Sequence, residues 1–141
     1  MTAVLVEVVA PFLAAALVFL TGKRAPRTIA TIGVAGTAVA FLASWAVAGA
    51  ALLGDLQPRA QAYVGIPAGA VSFDVAFRLD GLTALVGLLV TSVALAVQVY
   101  SIAYMRGDPR YRSYVAFVLL FTSAMLLVVT AVALVVLLVG W

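Results

Sequence analysis

"GLTALVGLLVTSVALAVQVYSIAYM", Gly81–Met105, is the stretch that decides the fold, because its twenty-five residues include no charged side chain. A helix needs roughly 20 residues to cross a hydrocarbon layer about 30 Å thick. Three further uncharged runs lie at Val8–Gly22, Thr28–Gly54 and Ser113–Trp141. The four runs together predict a membrane protein with several spans.

The composition also indicates that the chain is surrounded by lipid. The chain has 141 residues, of which 67% are hydrophobic and 9% are charged, whereas soluble domains carry about 25% charged residues. A chain of this size leaves much of its surface exposed, so we expect a lipid bilayer around it. Histidine and cysteine are absent. The sequence therefore lacks the usual metal ligand and neutral-pH proton carrier, and it gives no sign of redox compartment.

The fourth run is too long for one upright span and too short for two. We expect a full span at about Tyr114–Thr130, followed by the start of a fifth helix. The predicted fold class is an all-α polytopic membrane protein with four transmembrane helices, the start of a fifth, and an outer-face β-hairpin between helices two and three. Residues 1–54 hold two helices and a basic loop, 55–80 the hairpin, and 81–141 the remaining helices.

The charges of the loops predict the orientation. Basic residues near the ends of spans mark the cytoplasmic side of a membrane. Lys23, Arg24 and Arg27 follow the first run without an acid among them, and "YMRGDPRYR" (104–112) carries three arginines against one aspartate. Residues 55–80 have a net charge of −1. We therefore expect the basic loops inside, the N-terminus outside, and a multi-pass protein of a bacterial plasma membrane.

The arginine-rich segment 104–112 has two other interpretations. A phosphate-binding loop would need glycines after a strand, and a nucleic-acid surface would need more than the net charge of +3 that topology explains. Gly107 and Pro109 break the helix, so we interpret the segment as a cytoplasmic turn. We expect neither a nucleic-acid partner nor a soluble small-molecule substrate.

The segment before the third run alternates in polarity. In "AVSFDVAFRLD" (70–80) apolar residues take every second position, which is typical of a half-buried strand. "AQAYVGIPAGA" (60–70) offers a second strand and a turn with Pro67 and Gly69. We predict a β-hairpin on the outer membrane surface with its apolar face on the helix ends or a neighbouring subunit; an irregular surface loop is the alternative.

Ionisable groups inside a membrane are costly and mark ion paths. Glu7 is the only acid within an apolar run, and it lies close to the outer end of the first span. We interpret it as an interfacial glutamate in preference to a proton site. Uncharged polar side chains deeper in the spans can bond to helix carbonyls or across helices: Thr91, Ser92, Gln98, Thr122 and Ser123.

Arg78 and Asp80 are the candidate interfacial polar residues. An aspartate at the start of a helix is stabilising with or without a function, so we expect Asp80 to cap the third span and Arg78 to lie beside it. The sequence predicts no catalytic, cofactor-binding or metal-ligating residue in this chain.

Four motifs within residues 72–141 resemble a known family. They are "FRLDGL" (77–82), "YMRGD" (104–108), "FTSAML" (121–126) and "GW" (140–141). Together they are similar to the N-terminal region of the antiporter-like L subunit, chain 5, of the respiratory NADH:quinone oxidoreductase, complex I. The first seventy residues agree with that region only in layout.

The resemblance implies a proton-translocating membrane subunit that binds no flavin, iron–sulfur cluster or quinone, works beside other membrane subunits of the complex, and carries an outer-face β-hairpin. In the family a glutamate of the fifth span follows the Gly-Trp pair, and later spans supply the lysines of the proton path. This sequence stops at Trp141, and Val132-Ala133 stands where the family has an acidic-amide pair. We therefore expect a fragment that does not pump alone, or a subunit completed by a separate polypeptide.

Three alternatives stay open. Large subunits of multisubunit Na⁺/H⁺ antiporters share "DGL" (80–82) but tend to have phenylalanine before the tryptophan, so Gly140 and "YMRGD" favour complex I. Membrane subunits of inorganic-carbon uptake systems form a third branch of that scaffold. A purely structural membrane component is the other alternative, because the spans carry so little charge.

Overall fold

The structure is a computed structural model that describes residues 2–21, 26–53, 59–68 and 71–141. Side chains of the segment 59–79 are described for Arg78 alone. The basic loop with Lys23 and Arg24, and the predicted hairpin turn at Gly69, lie outside the described residues.

Five helices and two strands make up the described chain. They are α1 (Thr2–Leu20), α2 (Pro26–Leu52), β1 (Arg59–Ala68), β2 (Val71–Leu79), α3 (Gly81–Tyr104), α4 (Tyr111–Thr130) and α5 (Leu134–Gly140). Within these residues, α1 to α4 are long and apolar enough to cross a membrane. The prediction of four spans is confirmed, and the protein is a mostly helical, multi-pass membrane protein.

Local chemistry sets several helix ends. Pro26 begins α2, where a residue without an N–H group costs no helical hydrogen bond. Asp80 caps the start of α3 with its side chain. Between α3 and α4 the backbone turns at Gly107, whose φ of +87° is a left-handed conformation that a residue with a Cβ rarely adopts. This turn is the predicted helix break.

The bundle packs through small residues. α1 lies against α2 and α4, and α2 lies against α3. At Gly36 the α2 backbone touches the Cβ atom of Ala14, and at Gly33 it lies close to Val115 and Gln98. Small residues let helix backbones approach closely where no water drives apolar association. Because the helices are this close, polar side chains on neighbouring helices can reach one another.

The strands β1 and β2 pair antiparallel, with Arg59 opposite Leu79 and Ala68 opposite Val71. The register shifts between Ala62 and Val64. β2 lies beside α3, α4 and α5, at the end of the bundle where α3 begins and α4 ends. The structure does not describe the side chains that would form the predicted apolar face of this segment, so that face stays a prediction.

Arg27, at the start of α2, and the basic segment 104–112 lie together at the other end of the bundle. Arg112, in the first turn of α4, donates a hydrogen bond from Nη1 to the carbonyl oxygen of Thr21, just past α1. The end of the bundle at which the paired strands β1 and β2 lie is called the hairpin end below. There α4 stops at Thr130, and extended backbone at Ala131 and Ala133 separates it from α5. The bundle therefore has a basic end and a hairpin end.

Candidate functional site

Glu7 lies inside the bundle, and the prediction of an interfacial glutamate was wrong. Its side chain is only 4% exposed, because Glu7 falls on the buried stripe of α1 that also carries Val4, Pro11, Ala14 and Val18. Successive members of this stripe are three or four residues apart, which is the spacing of one helix face. Closeness to the helix end suggested the interface, but the helical face decided the position.

Two hydroxyl groups from neighbouring helices meet this carboxyl. Ser44 of α2 lies with Oγ 2.6 Å from Glu7 Oε1. Thr91 of α3 lies with Oγ1 3.1 Å from Ser44 Oγ. Ser44 is 1% exposed and Thr91 is fully buried. Glu7, Ser44 and Thr91 thus form a hydrogen-bonded row across three helices, which we call the Glu7 cluster.

Gly87 of α3 makes room for the cluster. A Cβ atom at this position would stand 2.5 Å from Glu7 Oε1, a separation that packed atoms do not tolerate. Gly87 lies one helical turn before Thr91, so both belong to the same buried face of α3. The α3 backbone therefore forms one wall of the Glu7 cluster.

Each hydroxyl of the cluster has a choice of acceptors. Ser44 Oγ lies 3.0 Å from the carbonyl oxygen of Ala40 as well as near Glu7. Thr91 Oγ1 lies 2.8 Å from the carbonyl oxygen of Gly87 as well as near Ser44. A hydroxyl carries one hydrogen and two lone pairs, so each can donate to a helix carbonyl or along the row. The row can therefore reverse its direction of donation.

The helical hydrogen-bond pattern of α1 is interrupted next to the cluster. Pro11 has no N–H group to donate to the carbonyl of Glu7, four residues earlier in the helix. Ser123 of α4 donates a 2.8 Å hydrogen bond to the neighbouring carbonyl of Val8. The first turns of α1 are thus held partly by a side chain of α4, and all four long helices contribute to this region.

A second buried polar group lies further along α3. Gln98 is 1% exposed, and its Nε2 donates a 3.3 Å hydrogen bond to the carbonyl oxygen of Val115 in α4. Ser101 donates to the main-chain oxygen of Gln98. Gln98 is seven residues, or about 10 Å, beyond Thr91 on the same face. The buried face of α3 therefore carries polar groups over much of its length.

The other polar residues expected inside the spans bond to helix carbonyls, as predicted. Ser92 donates to Leu88 and Thr122 donates to Val118, each four residues earlier in its own helix. Nothing in the sequence distinguishes Ser44 from the other small residues of α2. No group of three acidic, histidine or cysteine side chains that could hold a metal lies among the described residues.

Arg78 and Asp80 form an ion pair at the hairpin end, with Arg78 Nε 2.8 Å from Asp80 Oδ2. Asp80 Oδ1 accepts hydrogen bonds from the main-chain N–H of Thr83 at 2.8 Å and from its hydroxyl at 2.7 Å. These bonds to Thr83, and then the charge of Arg78, lower the pKa of the Asp80 carboxyl. Asp80 precedes Gly87 by seven residues, so this pair is separate from the Glu7 cluster by about 10 Å of helix.

Four apolar spans, a strand pair at one end and a buried carboxyl cluster define a multi-pass membrane protein with polar groups inside its bundle. Residues 66–115, from β1 into α4, match the family described as "NADH-Ubiquinone oxidoreductase (complex I), chain 5 N-terminus". The protein is thus similar to the N-terminal region of that chain, as its motifs predicted. The matched residues include Gly87, Thr91 and Gln98, but neither Glu7 nor Ser44.

Relatives named as chain 5 of NADH-ubiquinone or NAD(P)H-quinone oxidoreductases match the same part of the chain. NADH-ubiquinone oxidoreductase chain 5 of Allomyces macrogynus is 38% identical over 68 residues, which are 48% of this chain and 11% of that relative. The chain 5 of Metridium senile is 40% identical over 62 residues, 44% of this chain and 10% of the relative. NAD(P)H-quinone oxidoreductase chain 5 of Synechocystis is 43% identical over 53 residues, 38% of this chain and 8% of the relative. The matched part of the chain thus spans about a tenth of each relative's length.

Proposed function

We propose that this chain forms the first four spans of a proton-translocating membrane subunit of an NADH:quinone oxidoreductase. The match of residues 66–115 to the chain 5 N-terminus carries the proposal. Among the described residues it covers the end of β1, all of β2 and α3, the turn at Gly107 and the start of α4. Relatives named as chain 5 of such oxidoreductases support the same assignment.

The distribution of charge supports an orientation for the bundle. Arg27, Arg106, Arg110 and Arg112 lie at the basic end, whereas Arg78 at the hairpin end is paired with Asp80. Basic residues are retained on the cytoplasmic side. The basic end therefore faces the cytoplasm, and the hairpin and the N-terminus face outward. In a bacterium the membrane concerned is the plasma membrane, and the partners are other membrane subunits of the oxidoreductase.

The apolar outer faces of the helices fit such an assembly. Large side chains of α1 and α3, among them Phe12, Leu17 and Leu85, are more than half exposed. In a membrane these faces contact lipid or neighbouring spans. The described spans present apolar faces, so we assign electron transfer from NADH to other subunits and a part in moving protons to this chain.

Affinity purification of the tagged chain from its native membranes tests the proposal. We expect a complex that oxidises NADH with a quinone and, when reconstituted into vesicles, acidifies their interior only while NADH is supplied. Membranes from a strain that lacks the chain are the control, and re-expression should restore NADH-driven proton uptake. A chain that purifies with small subunits of a cation/proton antiporter, without NADH oxidation, would contradict the proposal.

A further inference from the structure

We propose that the Glu7 cluster is a proton-binding site inside the membrane, with Glu7 as the carboxyl that gains and loses the proton and Ser44 and Thr91 as its hydroxyl partners. The proton-binding site would stand even if the chain served another complex. Its use in translocation rests on the proposed function.

The hydrogen bonds of the cluster accommodate both forms of the carboxyl. When Glu7 is ionised, the Ser44 hydroxyl donates to Oε1 across 2.6 Å, and Thr91 donates to Ser44 across 3.1 Å. When Glu7 carries the proton, its O–H group donates to Ser44 Oγ. Ser44 then donates to the carbonyl of Ala40 and Thr91 to that of Gly87. Every hydroxyl hydrogen keeps an acceptor in both states. Neither state therefore leaves a buried donor without a partner, which would be costly.

The charges around the cluster leave the proton as the counterion of the carboxylate. On the helices packed against α1, the described cations are Arg27 at the start of α2 and Arg112 in the first turn of α4. Arg27 is seventeen residues from Ser44, or about 25 Å along the helix. Arg112 is eleven residues from Ser123, or about 17 Å. On the α3 side, the nearest charge among the side chains that the structure describes is Asp80, which Arg78 and Thr83 already engage.

The packing of the cluster favours a proton over a metal cation. The α3 backbone at Gly87 lies directly against Oε1, so close that a single carbon atom would not fit between them. The oxygen atoms of Glu7 and Ser44 are 2.6 Å apart, a distance that a shared hydrogen spans. A metal cation would need several oxygen atoms around it with their hydrogens turned away. The proton needs no further space.

Infrared difference spectroscopy on the complete protein in lipid vesicles tests the proposal. Glu7 is the only glutamate among the 141 residues, so labelling glutamate with ¹³C identifies its carbonyl stretch in this chain. We expect a protonated-carboxyl band that grows as the pH is lowered, shifts with the label, and is lost completely in Glu7→Gln. Asp108→Asn changes an exposed carboxyl at the basic end and is the matched control, which keeps the band.

A second pair of variants separates proton binding from a purely structural hydrogen bond. Ser44→Ala removes the partner of the carboxyl and should move the band to higher frequency. Ser92→Ala, whose hydroxyl bonds only to its own helix, should leave it in place. Glu7→Asp keeps a carboxyl and should keep a shifted band even where Glu7→Gln folds poorly.

Three results would overturn the inference. One is the absence of any band that Glu7→Gln removes at any pH, and another is a band that Ser44→Ala leaves unmoved. The third is loss of the band on adding Na⁺ at constant pH, which would make the cluster a metal-cation site. A normal band in a protein that shows no NADH-driven proton uptake would leave the inference standing and refute the proposed function.

Discussion

Arg112 Nη1 donates a 3.0 Å hydrogen bond to the carbonyl oxygen of Thr21, and so ties the start of α4 to the end of α1. The last carbonyls of a helix have no helical donor, and they carry partial negative charge. A guanidinium group supplies both a hydrogen and a positive charge at this place. The same residue that marks the basic end therefore also stabilises the bundle.

Replacing Arg112 by glutamine should lower the free energy of unfolding by about 1–2 kcal/mol, because a charge-assisted hydrogen bond is lost at a partly buried site. The measurement is chemical or thermal unfolding in lipid nanodiscs. Arg110→Gln is the matched control, since Arg110 is exposed, and it should change stability by less than about 0.5 kcal/mol. Equal effects of the two variants would mean that net charge matters and the bond to Thr21 does not.

Gly87→Ala should displace the carboxyl of Glu7, because the added Cβ would lie 2.5 Å from Oε1. We expect loss of the Glu7–Ser44 bond and a cost of about 1–3 kcal/mol for a buried polar group left without its partner. Gly49→Ala is the control, because no atom lies within 4 Å of the added Cβ. It should stabilise α2 by up to about 1 kcal/mol. Unfolding measurements on both variants decide, and a neutral Gly87→Ala would show that the carboxyl moves freely.

Asp80→Ala should cost about 1 kcal/mol, because the side chain caps the first turn of α3. Asp80→Asn should cost less, since asparagine caps a helix about as well, and the exposed pair with Arg78 contributes little. The folded protein lowers the pKa of Asp80. Its contribution is therefore fully present above the ordinary aspartate pKa of about 3.9 and is lost as the pH falls through the lower, folded value.

Unfolding of wild type and Asp80→Asn should be compared over that acidic range. The difference between them should shrink as the pH falls, because the wild-type carboxyl then becomes neutral like the amide. A difference that grows with falling pH would contradict the argument that the ionised Asp80 carboxyl stabilises the folded protein.

The orientation can be measured with single cysteines, since the sequence has none. Leu53→Cys lies at the hairpin end and Asp108→Cys at the basic end, and both positions are exposed. A membrane-impermeant maleimide applied outside the cell should label Leu53→Cys, and should label Asp108→Cys only after permeabilisation. The reverse pattern would invert the proposed orientation, and labelling of both from one side would contradict the four crossings.

The number of spans could be predicted because uncharged runs of sufficient length leave a membrane helix few alternatives. The end of the fourth span near Thr130 was placed by length alone, and α4 ends there. The position of Glu7 could not be predicted in the same way. Its depth along α1 suggested the interface, whereas its burial depends on which helices pack on that face. The stripe of Val4, Pro11, Ala14 and Val18 was the signal in the sequence that could have indicated it.

The contact of Ser44 with the carboxyl of Glu7 could not be predicted, for a related reason. Ser44 is one of several small polar residues in α2, and nothing local distinguishes it from Thr31 or Thr37, which bond to carbonyls of their own helix. Only the close approach of α1, α2 and α3 brings Ser44 to a carboxyl. A single sequence does not show which helices pack together, so it does not show contacts between distant segments.

The extended backbone that follows Thr130 also indicates where the hydrocarbon of a surrounding bilayer ends. Backbone that leaves the helical pattern cannot face lipid tails without large cost, since no water is there to bond its amide groups. The boundary at this side therefore passes near Ala131, level with the strand pair beside α5. From there to Tyr111, where α4 begins, twenty residues of helix measure about 30 Å. The length of α4 therefore matches the thickness of a typical hydrocarbon layer.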